Sequence, residues 1–152
     1  MEKVQVSFSW IDAERDKDLA PPAYETVQAS GMDVAAAVSE PMILEPGARI
    51  LVPTGFAVAI PAGYEIQVRP RSGLAIKFGI TVINAPGTID ADYRGEIKVA
   101  LVNLSNKQFT IYRGDRIAQL VLAPVCQANL EVVDALDTTQ RNDGGFGHTG
   151  IR

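Results

Sequence analysis

Apolar and polar residues alternate with a period of two along most of this chain. Val4, Val6, Phe8 and Trp10 are separated by Gln5, Ser7 and Ser9, a spacing that predicts a strand with one buried face. Tyr64, Ile66 and Val68 alternate with Glu65, Gln67 and Arg69, and Ile97, Val99 and Leu101 share a face opposite Lys98 and Ala100. Residues 49–60 form a strand-rich stretch broken by Pro53 and Gly55. Phe109 with Ile111, residues 117–125 and residues 130–133 predict further strands. Turn signals separate them at Glu45-Pro46-Gly47, Pro61-Ala62-Gly63, Ala85-Pro86-Gly87 and Arg113-Gly114-Asp115. Many short strands at intervals of roughly 8–12 residues, with almost no helical periodicity, predict an all-β barrel or jelly-roll-like sandwich. The charged run over residues 12–18 reads as a solvated loop.

Three segments break the alternation. Ser72 follows Pro70-Arg71 and precedes Gly73-Leu74-Ala75-Ile76-Lys77-Phe78, which predicts one or two helical turns capped by the serine. The free N–H groups of such an end, beside the charge of Arg71, suit a phosphate; a capped connector without a ligand is the plainer alternative. Residues 80–83 lead into the Ala85-Pro86-Gly87 turn and strand character resumes from Glu96, so residues 87–95 read as the return arm of a β-hairpin. That arm carries Asp90, Asp92, Tyr93 and Arg94 between two glycines, more chemistry than a turn requires. Beyond Asp134 the alternation stops, and the chain closes with Arg141-Asn142-Asp143-Gly144-Gly145-Phe146-Gly147-His148-Thr149-Gly150-Ile151-Arg152. Glycines and one phenylalanine cannot build a core. The tail therefore reads either as a mobile terminus or as a flexible lid for an aromatic, phosphorylated ligand.

Composition narrows the class. The 152 residues, 47% of them hydrophobic, suffice for one globular domain with a core. It divides into a β domain over residues 1–134 and a lid segment of the same domain over residues 135–152. A net charge of −4 and a pI near 4.9 argue against nucleic acid as a partner, while leaving room for a small anion met by local arginines. The single cysteine, Cys126, cannot close an internal disulfide, which fits a reducing cytoplasm, and it reads as a small buried apolar residue. No basic-then-apolar leader opens the sequence, and no apolar run reaches the ~20 residues of a membrane span. The expectation is a soluble cytoplasmic protein with no membrane partner.

Five short motifs in order carry a resemblance. They are Ala29-Ser30-Gly31-Met32-Asp33-Val34, Pro70-Arg71-Ser72-Gly73-Leu74-Ala75, residues 87–95, Arg113-Gly114-Asp115-Arg116-Ile117-Ala118-Gln119-Leu120, and residues 141–150. From about Pro22 to the C-terminus the chain resembles the homotrimeric deoxyuridine triphosphate nucleotidohydrolases (dUTPases) of bacterial type. The resemblance implies a distorted β jelly roll or barrel of short strands with one short helix and a glycine-rich C-terminal lid. It also implies cleavage of dUTP between its α and β phosphates, giving dUMP and pyrophosphate with Mg²⁺. Such an activity keeps uracil out of DNA and supplies dUMP for thymidylate synthesis. The sites of the implied homotrimer take motifs from more than one subunit. A dCTP deaminase would share the fold, but the Asp90/Tyr93 pair and the Gly144-Gly145-Phe146-Gly147 tail match the dUTPase pattern instead. An interaction module with vestigial catalysis is the other alternative, and the intact Asp90, Tyr93 and Arg141 speak against it.

The match assigns roles residue by residue. Asp90 falls at the general-base position, activating the water that attacks the α-phosphorus in line. Tyr93 falls beneath the deoxyribose, where its ring leaves no space for a 2′-hydroxyl. Asn84, with hairpin backbone groups around Thr88 and Ile89, is implied to read the uracil edge. Arg71, Ser72 and Gly73 match the phosphate loop, with Ser72 near the α–β bridging oxygen, and Gln119 looks like a phosphate or water ligand. Arg116 reads as a strand brace, Asp92 as the structural partner of a nearby arginine, and Lys98 as either a ligand contact or a solvated strand lysine. Asp33 resembles the acid that helps hold Mg²⁺ through its water shell, with the ion resting mainly on substrate phosphates. Arg141, Phe146, Gly147 and Thr149 form the implied lid, Phe146 over the uracil and the others toward the γ-phosphate. His148 stands where many relatives carry serine, which shifts more of that phosphate contact to Thr149.

Deleting everything after Gln140 separates the two readings of the tail. A lid predicts an unchanged melting temperature and oligomeric state but a severe loss of turnover, because closure excludes water and fixes the reacting atoms. Calorimetry beside a steady-state assay measures both, and full turnover of the truncated chain would make the segment a mere terminus.

Overall fold

A computed structural model describes residues 3–145. In chain order the first half contains β1 (Ser7–Trp10), α1 (Ala13–Asp16), β2 (Met32–Ala35), β3 (Met42–Leu44), β4 (Arg49–Pro53), β5 (Phe56–Ala59) and β6 (Tyr64–Arg69). The second half adds α2 (Ser72–Phe78), β7 (Ile80–Val82), β8 (Gly87–Ile89), β9 (Lys98–Asn103), β10 (Phe109–Ile111) and β11 (Arg116–Pro124). All pairings are antiparallel: a four-stranded sheet β2-β11-β6-β8, a three-stranded sheet β4-β9-β7, and the two-stranded ribbons β1-β5 and β10-β3. The result is a distorted jelly roll with no closed barrel. No helix among the described residues is long and apolar enough to cross a membrane.

Period-two patterning builds these strands as expected. Along β9, Val99 and Leu101 are buried while Lys98 points out, and in β4 Val52 is fully buried beside a Leu51 that is 55% exposed. Val34, Leu44, Phe56, Ile66, Ile80, Ile111 and Leu120 join them in one core fed by every sheet. Each such side chain contributes about 1.5–3 kcal/mol by leaving water. In β11 the alternation fails once: Ile117 and Ala118 are both buried, and a bulge between Arg116 and Ala118 absorbs the extra residue. Past the bulge, Gln119 stands between Asp33 of β2 and Arg69 of β6, so three polar residues share one row across the sheet.

Several expectations need correction. The residues around Ala85-Pro86-Gly87 do not join paired strands. β7 bonds β9, whereas β8 crosses to the edge beside β6, with Thr88 opposite Gln67. Both neighbours satisfy the same turn chemistry, and local sequence does not distinguish them. Residues 130–133 form no strand: Leu130 is 88% and Val132 98% exposed, and the bond from Val125 N–H to the Gly63 carbonyl is the last to another strand region. Cys126, also beyond β11, is exposed rather than buried. Two short helices are present instead of one, and α2 is capped by Arg71, not Ser72. Arg71 has the extended conformation and its carbonyl accepts the first helical bond from Ala75, so Ser72 is the first helical residue, without a side-chain cap.

The run over residues 12–18 is not a solvated loop. Asp12 caps α1 through a bond from the Arg15 N–H at 3.1 Å, and Asp16 is fully buried. Its carboxylate takes both Arg15, at 2.5 Å, and Arg113, at 3.0 Å, while Arg113 also reaches Asp18 at 2.6 Å. Gly55 completes the enclosure. Its φ is +77°, and a Cβ there would stand 2.5 Å from Asp16 Oδ2, so a side chain is excluded on both counts. The hydrogen bond from Arg15, then that from Arg113, hold the Asp16 carboxyl below its ordinary range against the opposing effect of burial.

Asp16→Asn removes the charge and keeps the shape. We expect a cost of about 1–3 kcal/mol at neutral pH, below the full penalty of a broken buried pair because Arg15 is half solvated and Arg113 keeps Asp18. Since the folded pKa lies below the unfolded one, wild type holds its advantage above about pH 4 and loses it as pH falls through the folded value. Urea denaturation of both proteins at about pH 7 and pH 3 tests this, with an undiminished gap at the lower pH as the contrary result.

Candidate active site

Arg71 emerges directly from β6, one turn past Arg69, and swings back over the row that contains Asp33 and Gln119. Its Nη2 lies 3.2 Å from Asp33 Oδ2, and its Nη1 donates to the Arg116 carbonyl at 3.0 Å. Arg116, at the head of β11, places Nη1 3.1 Å from the same Asp33 oxygen, and Gln119 Nε2 donates to Asp33 Oδ1 at 3.1 Å. Asp33 is only 7% exposed at its side chain, so this carboxylate is the hub on which two guanidiniums and an amide are held. Charge-assisted bonds of this kind fix direction as well as distance.

An open cleft of about 180 Å³ lies over the hub, lined by Asp33, Arg71, Ser72, Gly73 and Gln119 together with Glu25, Thr26, Ala29 and Gly31. A Cβ on Gly31 would meet Gln119 Cβ at 3.2 Å, so this glycine lets Gln119 run along the cleft wall. A Cβ on Gly73 would meet nothing within 4 Å. The first-turn N–H groups of α2, which have no helical acceptor, therefore border open space with Arg71 beside them.

The residues around β8 gather elsewhere. Ile89 is buried, while Asn84, Thr88 and Asp90 are exposed. The Tyr93 N–H closes a turn on the Asp90 carbonyl at 3.1 Å, and the Tyr93 hydroxyl donates to the Glu96 carbonyl at 3.1 Å. With that end tied down and the ring lying close against Gly95, where any Cβ would collide, Tyr93 remains 47% exposed as a fixed platform. Lys98 lies 3.5 Å from Glu96, whose other oxygen accepts from the Gly55 N–H at 3.0 Å. Asp92 has no arginine among its described contacts; Arg94 turns instead to the carbonyls of Ala91 and Tyr93 at 2.7 and 2.8 Å. None of Asn84, Thr88, Asp90, Tyr93 and Lys98 lines the cleft over Asp33.

Arg141 bonds the Gly144 carbonyl at 2.8 Å in a local turn, and Phe146, Gly147 and Thr149 lie outside the described residues. Two cleft residues, Glu25 and Thr26, lie outside every motif. Glu25 sits in an aperiodic segment with no motif around it, yet its Oε1 meets Arg116 Nη1 at 3.2 Å.

Comparison with known proteins places both residue groups in one pattern, since the dUTPase family pattern matches residues 17–150. The chain belongs to the dUTPase family. It is 62% identical over 151 residues to the deoxyuridine 5'-triphosphate nucleotidohydrolase of Desulfotalea psychrophila, covering 99% of this chain and 100% of that protein. The enzyme of the same name from Caulobacter vibrioides is 59% identical over 140 residues, covering 91% and 90%. Among solved structures, a dUTPase variant of Staphylococcus bacteriophage 80alpha with dUpNHpp superposes with a TM-score of 0.82 at 25% identity, covering 97% of this chain and 99% of that one. A dUTPase mutant of phage phi11 of S. aureus, described for its structural Mg(II) ion, shares the fold with a TM-score of 0.74 at 23% identity, covering 88% and 99%. Within this dUTPase, then, a single chain carries an arginine-lined cleft and, around the end of β8, an acid-bearing segment that does not line it.

Proposed function

We propose that this dUTPase hydrolyses dUTP to dUMP and pyrophosphate, by in-line attack on the α-phosphate of a water activated by Asp90, in a homotrimer whose sites combine the cleft of one chain with the Asp90 segment of another. The separation of the two residue groups carries the assembly part of this reading. Among the described residues, Asp90 does not line the cleft over Asp33, where Arg71, Ser72 and Gly73 stand. A second copy supplies each with the other.

In this arrangement the Asp33 hub does the positioning. It presents Arg71 and Gln119 to the phosphates, with the Ser72 hydroxyl and the first-turn N–H groups of α2 close to the α–β bridge. Asp90, exposed at the end of β8, holds and partly deprotonates the water. Carboxylates are weak bases, so most of the acceleration comes from alignment and charge stabilisation. Tyr93, tied to Glu96, is a rigid floor for deoxyribose, while Asn84 and the backbone at Thr88 and Ile89 distinguish uracil from cytosine by their donor and acceptor pattern. Lys98 joins the ligand only by leaving Glu96. Arg141, Phe146, Gly147 and Thr149 close over the nucleotide.

Mg²⁺ fits this donor set as an ion carried in on the substrate. Asp33 Oδ2 already faces two guanidiniums, and no cluster of three metal-ligating side chains occurs among the described residues, so Asp33 reaches such an ion only through its water shell. When bound, the ion neutralises phosphate charge and orients the polyphosphate. A reducing cytoplasm is the compartment this reading assumes, and supply of dUMP with exclusion of uracil from DNA is its cellular role.

Product analysis on dUTP, UTP, dCTP and dTTP, with and without Mg²⁺, tests the reading as a whole; pyrophosphate release must be confined to dUTP. Asp90→Asn is expected to lower turnover at least ~10²-fold while substrate binding survives, and near-normal turnover would remove Asp90 from the base role. Tyr93→Ala is expected to raise UTP hydrolysis relative to dUTP while lowering overall activity. An unchanged dUTP/UTP ratio would move sugar discrimination to another residue.

A further inference from the structure

The two acids that contact Arg116 are held very differently. Asp33 is nearly buried and engaged by Arg71, Arg116 and Gln119, so it is a fixed part of the frame. Glu25 is 62% exposed at its side chain and has Arg116 as its single described partner, at 3.2 Å through the same Nη1 that contacts Asp33. Its backbone is nevertheless kept at the mouth of the cleft. Two residues earlier, the Ala23 carbonyl accepts from the Asp33 N–H at 3.1 Å, and one residue later the Thr26 carbonyl accepts from the Ala29 N–H at 3.1 Å. An anchored backbone thus presents a loosely held carboxylate on the cleft wall to a guanidinium that shares Asp33 with Arg71 and lines the adjoining cavity.

We propose that Glu25 is an internal competitor for the polyphosphate, occupying Arg116 in the free protein and giving it up when a phosphate oxygen arrives. Carboxylate and phosphate oxygens are equivalent acceptors for a guanidinium fork, so one displaces the other without rebuilding the donor. The displaced Glu25 carboxylate then sits among like charges and favours departure of the product. The effect on both substrate and pyrophosphate is weaker ground-state binding, with release made faster. This rests on the cleft over Asp33 being the polyphosphate seat.

Calorimetric titration of the full chain with inorganic pyrophosphate, with and without Mg²⁺, provides the test, using wild type, Glu25→Gln, Arg116→Gln, the double variant and Arg71→Ala. Glu25→Gln is expected to tighten pyrophosphate binding about 2- to 5-fold, the range for removing one solvated ion pair. In steady state its KM for dUTP should fall without a rise in kcat. In the Arg116→Gln background the same substitution should change nothing, since the competition runs through that guanidinium. Equal tightening in that background would reduce the effect to plain charge repulsion and overturn the proposal. Unchanged or weaker binding by Glu25→Gln would overturn it too, and weakening confined to the Mg²⁺ arm would make Glu25 part of the metal's water shell. Arg71→Ala isolates the underlying premise: if it binds pyrophosphate as tightly as wild type, the seat lies elsewhere and the competitor falls with it. An effect of Arg71→Ala without one of Glu25→Gln removes the competitor alone.

Discussion

A strand bonded on both edges must satisfy two ladders and two faces with one sequence, and β11 meets that demand in nine residues. Its first half pairs with β2 and its second with β6, and the two ladders overlap at Gln119 and Leu120. At that overlap one residue faces the cleft and the next fills the core. A slip of one position would exchange them, burying an amide and exposing a leucine. The bulge after Arg116 is what brings the buried Ile117-Ala118 pair into phase with this requirement, and it leaves the Arg116 head on the outside. Cleft geometry therefore depends on the register of a single strand.

Two carboxylates with little or no exposure organise the charges, and each is held by a pair of arginines. Taking a carboxylate out of water costs several kcal/mol, and the paired guanidiniums offset it. Asp16 takes Arg15 and Arg113; Asp33 takes Arg71 and Arg116. Arg113 and Arg116 bracket the short turn between β10 and β11, so that turn is clamped from two sides by acids of distant segments. One clamp belongs to the scaffold and the other to the cleft, and they share the same four residues of chain.

Period-two alternation made β6 and β9 legible because their alternate residues enter the core, whereas β4 and β11 were legible as apolar stretches between turn signals. Glycine and proline at the turns made most of their limits legible as well. Partner choice was not. Nothing local tells β8 to cross to β6 rather than fold back on β7, and nothing marks residues 130–133 as staying unpaired. Asp16 looked like one charge in a solvated run because its arginine partner lies 97 residues away. The motifs located Asp33, Arg71, Ser72, Gly73 and Gln119, and the fold gathers them in one cleft. Glu25 escaped because a lone acid in an aperiodic loop has no spacing to betray it, and the distance between the cleft and the Asp90 segment is a property of the folded chain alone.

The N-terminal segment gives the family pattern an unexpected boundary. That pattern begins at residue 17, after β1 and α1 have ended. Yet Phe8 stacks on Phe56 with ring centroids 5.0 Å apart, Trp10 packs edge-on against the same ring at 6.1 Å, and Asp16 neutralises Arg113. A chain cut at residue 17 would keep every motif and lose the cover of its largest core side chain together with a buried counter-charge. The stretch that the family pattern covers is thus smaller than the stretch that has to fold, and fragments designed from motif limits would inherit the chemistry without the means to hold it in shape.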